Sequence, residues 1–566
     1  MANVTLRRTA TSRSDSTVQT EGTTATTRSS GASTRRRKAQ SRPKGLTLSS
    51  SLLLLLLIFF VYALLAVFMP RHQPSSASKE LAKMLRTEGI RSSAKNYFPP
   101  AFPTMHRDVQ VTLSRDALDM CTQALWHTVE TTTVVLPDHE TFVHTGDIDD
   151  LWLRDSAAQI HPLLVPFNGT ALIQQDPRLD RIVSGLIKRS AMYIRHDPYA
   201  NAFRIDDSYV FSEEQKRLGR HDLISTWNYE LDSACYFMRL LYFYWKQAPS
   251  TEVLLQPQVQ EAVQIMVTLW KAEQKHELDE FPVGNLLDCQ NCNKPYRYPG
   301  LPRDGKGSLT NASAGLTWTG FRPSDDECQY GYLIPANMFA VVALRYMEEM
   351  AKDLWGNQLL AESCGELAGE IQLGIETHGI VEHPKFGKIY AYEVDGLRNS
   401  NLMDDANVPN LLSIPYLGYE WYDPDVYANT RRFIFSPSNP TYKKGNNPLT
   451  GEIEGFGSVH MEARIRENIW PMSLAMQGLT TDDVDEKVRL VETLVQASAG
   501  THWMHESIDV HNPNRFTRAW FCWSDSLFAE LVLSLTDACP DSSHKYRVHE
   551  WRDPETIDGG PFAAEI

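Results

Sequence analysis

Cysteine is sparse in this chain, and the common nucleotide and protease signatures are missing, so several classes of function are excluded at once. Eight cysteines in 566 residues are too few for a small fold stapled by disulfides in place of a core. Cys289 and Cys292 make one C-x-x-C, but no second pair at that spacing completes a zinc site. A local disulfide, or one reaching another loop, is the expectation there. The chain has no G-x-x-x-x-G-K-[ST] loop, no G-x-G-x-x-G opening a helix after a strand, no G-x-S-x-G elbow and no H-E-x-x-H. Nucleotide, nicotinamide, serine-esterase and zinc-protease chemistry thereby lose their usual anchors. Basic charge is short outside the first 45 residues. That segment holds ten basic and two acidic residues, a balance of +8, and the whole-chain charge of −15 leaves −23 for everything after it. Such a balance disfavours nucleic acid as a partner and suits a domain acting on a neutral ligand.

Residues 1–45 also lack large apolar side chains, being rich in Ser, Thr and Arg, and cannot bury enough surface to offset chain entropy. They are expected to be a disordered basic tail. Leu46 to Met69 then run without a charge, with Leu52 to Leu57 unbroken. At about 1.5 Å rise per residue this run is long enough to cross roughly 30 Å of hydrocarbon, so a single transmembrane helix is expected over 46–69. The run starts late and ends in Val-Phe-Met-Pro, unlike a cleaved signal peptide. Arg35, Arg36, Arg37, Lys38, Arg42 and Lys44 precede it and should stay cytoplasmic. The expectation is a single-pass type II membrane protein of the secretory pathway, Golgi or ER, with the C-terminal bulk lumenal. Asn168-Gly-Thr and Asn311-Ala-Ser are then N-glycan acceptor sequons, whereas Asn3-Val-Thr should stay bare.

Residues 70–105 look like a polar stem stiffened by Pro99, Pro100 and Pro103. Apolar patterns of helical period follow near 113–132, 151–164, 177–195, 228–247, 256–275, 333–353, 357–377, 406–414, 424–431, 459–479, 482–499 and 521–535, with little strand alternation. A main domain over 106–540 and a tail over 541–566 are expected. Every second helix is preceded or opened by a cluster of carboxylates, Trp, Arg and Asn. The six clusters are HTGDIDDLWLRDS, STWNYELDS, WTGFRPSDDECQYGY, NLMDDANVP, RENIWP, and HWMHES through FTRAWFCWSDS. Helices alternating between an inner and an outer ring would bring all six to one end of an all-α (α/α)6 toroid. Helix capping alone explains one acid per cluster, as with Ser324 and Glu327 in S-D-D-E, but not Trp, Arg and paired acids together.

Carboxylates beside tryptophans suit carbohydrate. Acids and amides fix hydroxyl groups, an indole face covers the C–H face of a sugar ring, and a glycosidic bond yields to one protonated and one ionised carboxyl group. The first cluster offers Asp147, Asp149, Trp152, Arg154 and Asp155, the second Trp227, Glu230 and Asp232. Arg322 and Asn337 come from the third cluster and its helix, and Asp404, Asp405 and Asn407 from the fourth. His505 and Trp520 come from the last. Arg154 beside Asp155 allows two readings, a structural ion pair or a clamp on sugar hydroxyls. Asp325 and Asp326 are adjacent and cannot share one role. Glu506 lies between two histidines and several aromatics, where partial desolvation would tune its basicity. His502, His505 and His511 lack a metal-ligand spacing, so no metal and no other cofactor is expected.

The segments HTGDIDDLWLRDSAAQ, WNYELDSACY, WTGFRPSDDECQYGYLIPANMFAVVAL, IYAYEVDGLRNSNLMDDANVPNLLSIPYLGY and THWMHESIDVHNPNRFTRAWFCWSDSLFAELV resemble glycoside hydrolase family 125, across about residues 105 to 540. The resemblance implies an (α/α)6 barrel and an exo-acting α-mannosidase, selective for α-1,6 linkages, that inverts the anomeric centre without a metal. The family includes fungal proteins described as meiotically up-regulated, some with a membrane anchor. Carried over by motif, the general acid falls at Asp325 or Asp326 and the general base at Glu506. Asp326 is favoured as the acid because Asp325 follows Ser324 at an expected helix start and would serve the helix dipole. The additions relative to bacterial members are the tail, the anchor and an insertion around 276–310. Two other functions remain open: a mannose-binding lectin-like protein without activity, and an (α/α)6 glucosidase or trehalase.

Overall fold

The computed structural model describes residues 111–167, 169–279, 295–462, 467–539 and 545–550. The tail, the apolar run 46–69, the stem, Asn168, Cys289 and Cys292 lie outside them. No helix among the described residues is long and apolar enough to cross a membrane.

Eleven helices of eight or more residues carry the described fold. They are α1 (Arg115–His127), α2 (Leu153–Ile160), α3 (Pro177–His196), α4 (Leu231–Gln247), α5 (Pro257–Glu273) and α6 (Ile334–Asp353). The others are α7 (Gln358–His378), α8 (Pro424–Ile434), α9 (Pro471–Leu479), α10 (Val484–Ala497) and α11 (Cys522–Leu533). Their starts follow local chemistry. Pro occupies the first turn of α3, α5, α6, α8 and α9, where its missing N–H costs nothing. Ser114, Asp176, Asn357, Asp423 and Asp483 cap α1, α3, α7, α8 and α10 with side-chain oxygens.

Two kinds of helix alternate along the chain. Every residue of α2 and α11 is buried, and α4 is buried over almost its whole length. Helices α3 and α10 instead bury one stripe and expose the other face, as a helix with one side in water does. The buried helices pack on one another, α2 on α4 and α11, α4 on α6, and α9 on α11. The striped ones pack outside them, α3 on α5, α5 on α7, and α10 on α1. This helix-rich, alternating order is consistent with an (α/α)6 fold.

Three expectations are corrected. The chain is not purely helical: short ladders such as Leu151–Trp152 with Ala202–Phe203 and Ile224–Thr226, and the hairpin Tyr442–Asn447 with Gly451–Phe456, join the helices at their ends. Helical periodicity dominates a sequence whose strands are mostly two to four residues long, too short to show alternation. The expected helix 406–414 is a loop followed by one turn, Ile414–Leu417. Val408 precedes a proline, which disfavours helix there, and Asp404 takes the N–H groups of Leu411 and Leu412 at 2.8 and 3.0 Å. The expected helix 459–479 is broken, because Asn468–Ile469 pairs as a strand with Asp509–Ile508 before α9 starts at Pro471.

The two ends of the described domain are joined. Cys121 on α1 forms a disulfide with Cys539 beyond α11. Within the segment expected as a C-terminal tail, Tyr546 stacks on Trp126 with centroids 4.4 Å apart, and His549–Glu550 adds a parallel strand beside Val134–Val135.

Candidate active site

Bonds between neighbouring clusters form a closed circuit. The first cluster reaches the second through the ladder of Leu151–Trp152, Ala202–Phe203 and Ile224–Thr226, and through Arg154, which donates to Glu230 Oε2 at 2.6 Å. The second reaches the third where the N–H groups of Gly320 and Phe321 both donate to the carbonyl of Tyr229. Arg322 Nε donates to Glu393 Oε1 at 2.6 Å, and Glu393 also sits in the strand paired with Ser400–Asn401, which leads into the fourth cluster. Asp405 accepts from Ser458 at 2.7 Å, just ahead of the fifth cluster. The fifth and sixth are zipped by Asn468–Ile469 on Ser507–Asp509. The circuit closes where Arg518 donates to Asp147 Oδ1 at 2.7 Å and Gly146 pairs with Phe521. Gly146 has φ +122°, and a Cβ there would lie 2.5 Å from the Trp520 carbonyl, so glycine is required for that approach.

Asp325 and Asp326 stand in a turn, not at a helix start; α6 begins only at Ile334. Arg322 N–H donates to the Asp326 carbonyl at 2.8 Å, and Asp325 N–H to that of Arg322 at 2.9 Å. The dipole argument that favoured Asp326 therefore falls away. Ser324 is likewise no cap: its hydroxyl donates to Asp326 Oδ2 at 2.8 Å. Asp325 holds φ at +63°, a left-handed conformation that a non-glycine residue adopts only when its surroundings impose it. Its Oδ1 accepts from Asn201 Nδ2 at 2.9 Å and Trp152 Nε1 at 3.4 Å, while Oδ2 lies 3.7 Å from Arg154.

Arg154 is the hub of this wall. Besides Glu230 and Asp325, it lies 3.2 Å from Asp155 and 3.7 Å from Asp232, and it is almost fully buried. Burial works against its charge, but the carboxylates, Glu230 first, hold its pKa well above the ordinary value. Four acids therefore face one guanidinium. Burial pushes Glu230 well above the usual carboxylate range and Asp232 up to about 7, with Arg154 opposing in both. Burial also raises Asp155. Arg154 and Asp155 are thus no isolated ion pair, since Arg154 also holds Glu230 and lies 3.7 Å from both Asp232 and Asp325.

Glu506 is nearly buried, on a segment paired with Phe516–Thr517. Thr517 Oγ1 donates to its Oε2 at 2.9 Å, and Arg518 lies 3.7 Å from Oε1. His505 turns away, stacking on Phe516 at 3.7 Å, and burial lowers its pKa. Trp520 packs edge-on to His144 and donates to the sulfur of Cys522. His460 stands beside Asp326 and carried no sequence signal, since it lies outside the six clusters. Its Nδ1 is 3.6 Å from Asp326 Oδ2. Asp326 raises its pKa against burial, and the negative charges of Asp325 and Glu506 add to the rise. Asn201 was also missed; it follows α3 as a plain loop asparagine, with no acid beside it to mark it.

The other nominated residues divide. Trp227 is half-buried and donates to Asp197 Oδ2 at 3.2 Å. Asp149 is exposed beside the first cluster. Asp405 and Asn407 bond each other at 2.9 Å and fix the loop next to Asp326. Asn337 spends its amide on the Thr317 backbone within the helical core, and Asp404 spends its carboxylate on the backbone of Leu411 and Leu412.

Carboxyl groups fixed by Asn, Thr, Trp and Arg side chains at the ends of a helix-rich scaffold fit a glycoside hydrolase. Residues 114–533 match the family of metal-independent alpha-mannosidases, glycoside hydrolase family 125, and the chain belongs to it. It is 39% identical over 430 residues to the meiotically up-regulated gene 157 protein of Schizosaccharomyces pombe, covering 73% of this chain and 79% of that one. It is similar in structure to a metal-independent alpha mannosidase of Streptococcus pneumoniae, solved as a non-productive complex with alpha-1,6-mannobiose. There the TM-score is 0.65 and identity 38%, over 74% of this chain and 93% of that one. The protein is an α-mannosidase, which sets aside the glucosidase and the inactive lectin.

Proposed function

We propose that this enzyme removes non-reducing terminal α-1,6-linked mannose from glycans with inversion, using Asp325 as general acid and Glu506 as general base. The observation that carries this reading is how the two carboxyl groups are held: Asp325 is fixed by Asn201 and Trp152 beside Arg154, and Glu506 by Thr517 beside Arg518. Asp325 gives its proton to the departing glycosidic oxygen, while Glu506 takes one from the water that attacks the opposite face of the sugar. Inversion needs room for that water, a carboxyl separation of about 6.5 to 9.5 Å. Asp325 is preferred to Asp326 because its imposed φ and its two N–H donors orient it. Asp326, beside Ser324 and His460, is suited to holding a sugar hydroxyl. The α-1,6 preference is supported by the mannobiose in the pneumococcal relative.

The same proposal includes closure of the helices into a full (α/α)6 toroid and anchorage by the helix 46–69, with the enzyme domain in the lumen of the secretory pathway. The Cys121–Cys539 disulfide supports a lumenal site, since such bonds persist in oxidising compartments. Incubating the enzyme with linkage-defined mannobiosides and following the first product by NMR tests the reaction. Release of β-mannose from the α-1,6 isomer is expected; initial α-mannose, or indifference to linkage, overturns it.

A further inference from the structure

We propose that His196, His221 and Asp222 form a binding site for a borderline divalent cation of the Zn2+ type, tying the end of α3 to the loop that leads to Trp227. His196 is the last residue of α3, and His221 and Asp222 precede the strand Ile224–Thr226. The two imidazole rings have centroids 6.2 Å apart, and His221 Nδ1 is 3.2 Å from Asp222 Oδ2. One ligand atom from each of the three lies within 4.8 Å of the others. Ligands on a tetrahedral ion with bonds of about 2.0–2.2 Å sit roughly 3.3–3.6 Å apart, so adjustment on the order of 1 Å completes the site. The side chains of Asp222 and His221 are 62% and 30% exposed.

A second observation points to a ligand. His196 Nε2 is closed off from solvent and has no hydrogen-bond partner. A buried polar nitrogen left in that state costs free energy, which a metal bond would recover. Two imidazoles and one carboxylate suit Zn2+, Co2+ or Ni2+ with water completing the shell, and do not suit Mg2+ or Ca2+, which take oxygen.

The cation would act on the site wall without entering the chemistry, which in this family needs no metal. Asp197, the next residue after His196, accepts from Trp227 Nε1. Gly219, at φ +83°, packs so closely beneath that indole that a Cβ would lie 2.5 Å from it. Joining His196 to His221 and Asp222 fastens both supports of Trp227 together.

The test uses the full-length protein in detergent, free of any histidine tag and stripped with EDTA. Titration with ZnCl2 in a calorimeter should show an equivalent that His196→Asn and His221→Asn each remove or weaken by at least about tenfold. Zn2+ at 100 times its Kd should raise the melting temperature by about 3 °C in the parent and not in the variants. His221→Asn lies in a loop and keeps the test informative where His196→Asn folds poorly. No Zn2+ binding, binding that survives both substitutions, or binding lost only on His127→Asn, at the separate group of His127, Cys522 and Asp525, would overturn the proposal.

Discussion

Replacing Arg154 by Met removes the guanidinium at the centre of a cluster of buried acids while keeping most of the side-chain volume. Glu230, Asp155, Asp232 and Asp325 lie 2.6, 3.2, 3.7 and 3.7 Å from its guanidinium, and the first three are almost completely buried. Breaking a buried pair from one side typically costs about 3–5 kcal/mol, because the remaining charge is left without a partner. The matched domain spans residues 114–533. At about 2.1 cal/mol/K per residue, its unfolding entropy is roughly 0.9 kcal/mol/K, so the loss corresponds to about 3–6 °C in melting temperature. The pH dependence gives the sign. Burial raises Glu230 and Asp232, the latter to about 7, so the folded state holds protons that the unfolded chain has released. Stability from these groups is greatest below the ordinary carboxylate range and falls as pH rises through about 7. Without Arg154 both pKa values climb further and the fall steepens. Thermal melts at pH 5, 6.5 and 8 should show a small loss at pH 5 and the full loss at pH 8. Adding Glu230→Gln should restore part of it, measured as a double-mutant cycle. A melting temperature unchanged at pH 8, with mannose affinity lost, would refute the hub and restore the clamp. A loss equal at all three pH values would refute the electrostatic origin.

Glu506→Gln should lower turnover by about 10²–10⁴-fold with melting temperature intact, and azide should restore activity by forming the β-mannosyl azide; near-normal turnover sinks the assignment. Asp325→Asn should abolish cleavage of α-1,6-mannobiose yet spare a dinitrophenyl α-mannoside whose leaving group needs no proton. If Asp326→Asn shows that pattern instead, the two aspartates exchange roles. Cys539→Ser opens the disulfide to Cys121 and should cost about 2–5 kcal/mol, read as a drop in melting temperature under non-reducing conditions; no change means that the bridge is dispensable. Protease added to sealed microsomes should remove the basic tail and spare the domain, and digestion of the domain would reverse the proposed orientation.

Much of the enzyme was legible in the sequence because its signals are local. Helices α3 to α7 announce themselves by apolar period, by proline in the first turn or by a capping Asn or Asp, and they begin and end within a few residues of their expected bounds. The motifs around Arg154, Asp325 and Glu506 likewise identified the family from residue order alone. What the sequence could not give depends on contacts between distant segments. The turn at Asp325 looks like a helix cap in one dimension, and only the bond from Arg322 to the Asp326 carbonyl, with Asn201 and Trp152 bonded to the Asp325 carboxyl, sets its direction. Asp404 and Asp405 read alike, yet folding turns the first onto the backbone of Leu411 and Leu412 and sets the second beside Ser458. His460 and Asn201 carried no pattern, because a single polar residue gains meaning only from its neighbours in space. Residue type and period thus determined the helices and the chemistry on offer, both encoded over a few residues. Which carboxyl groups face one another was decided by the tertiary structure, because charge and hydrogen bonding act through distance in space and not through separation along the chain.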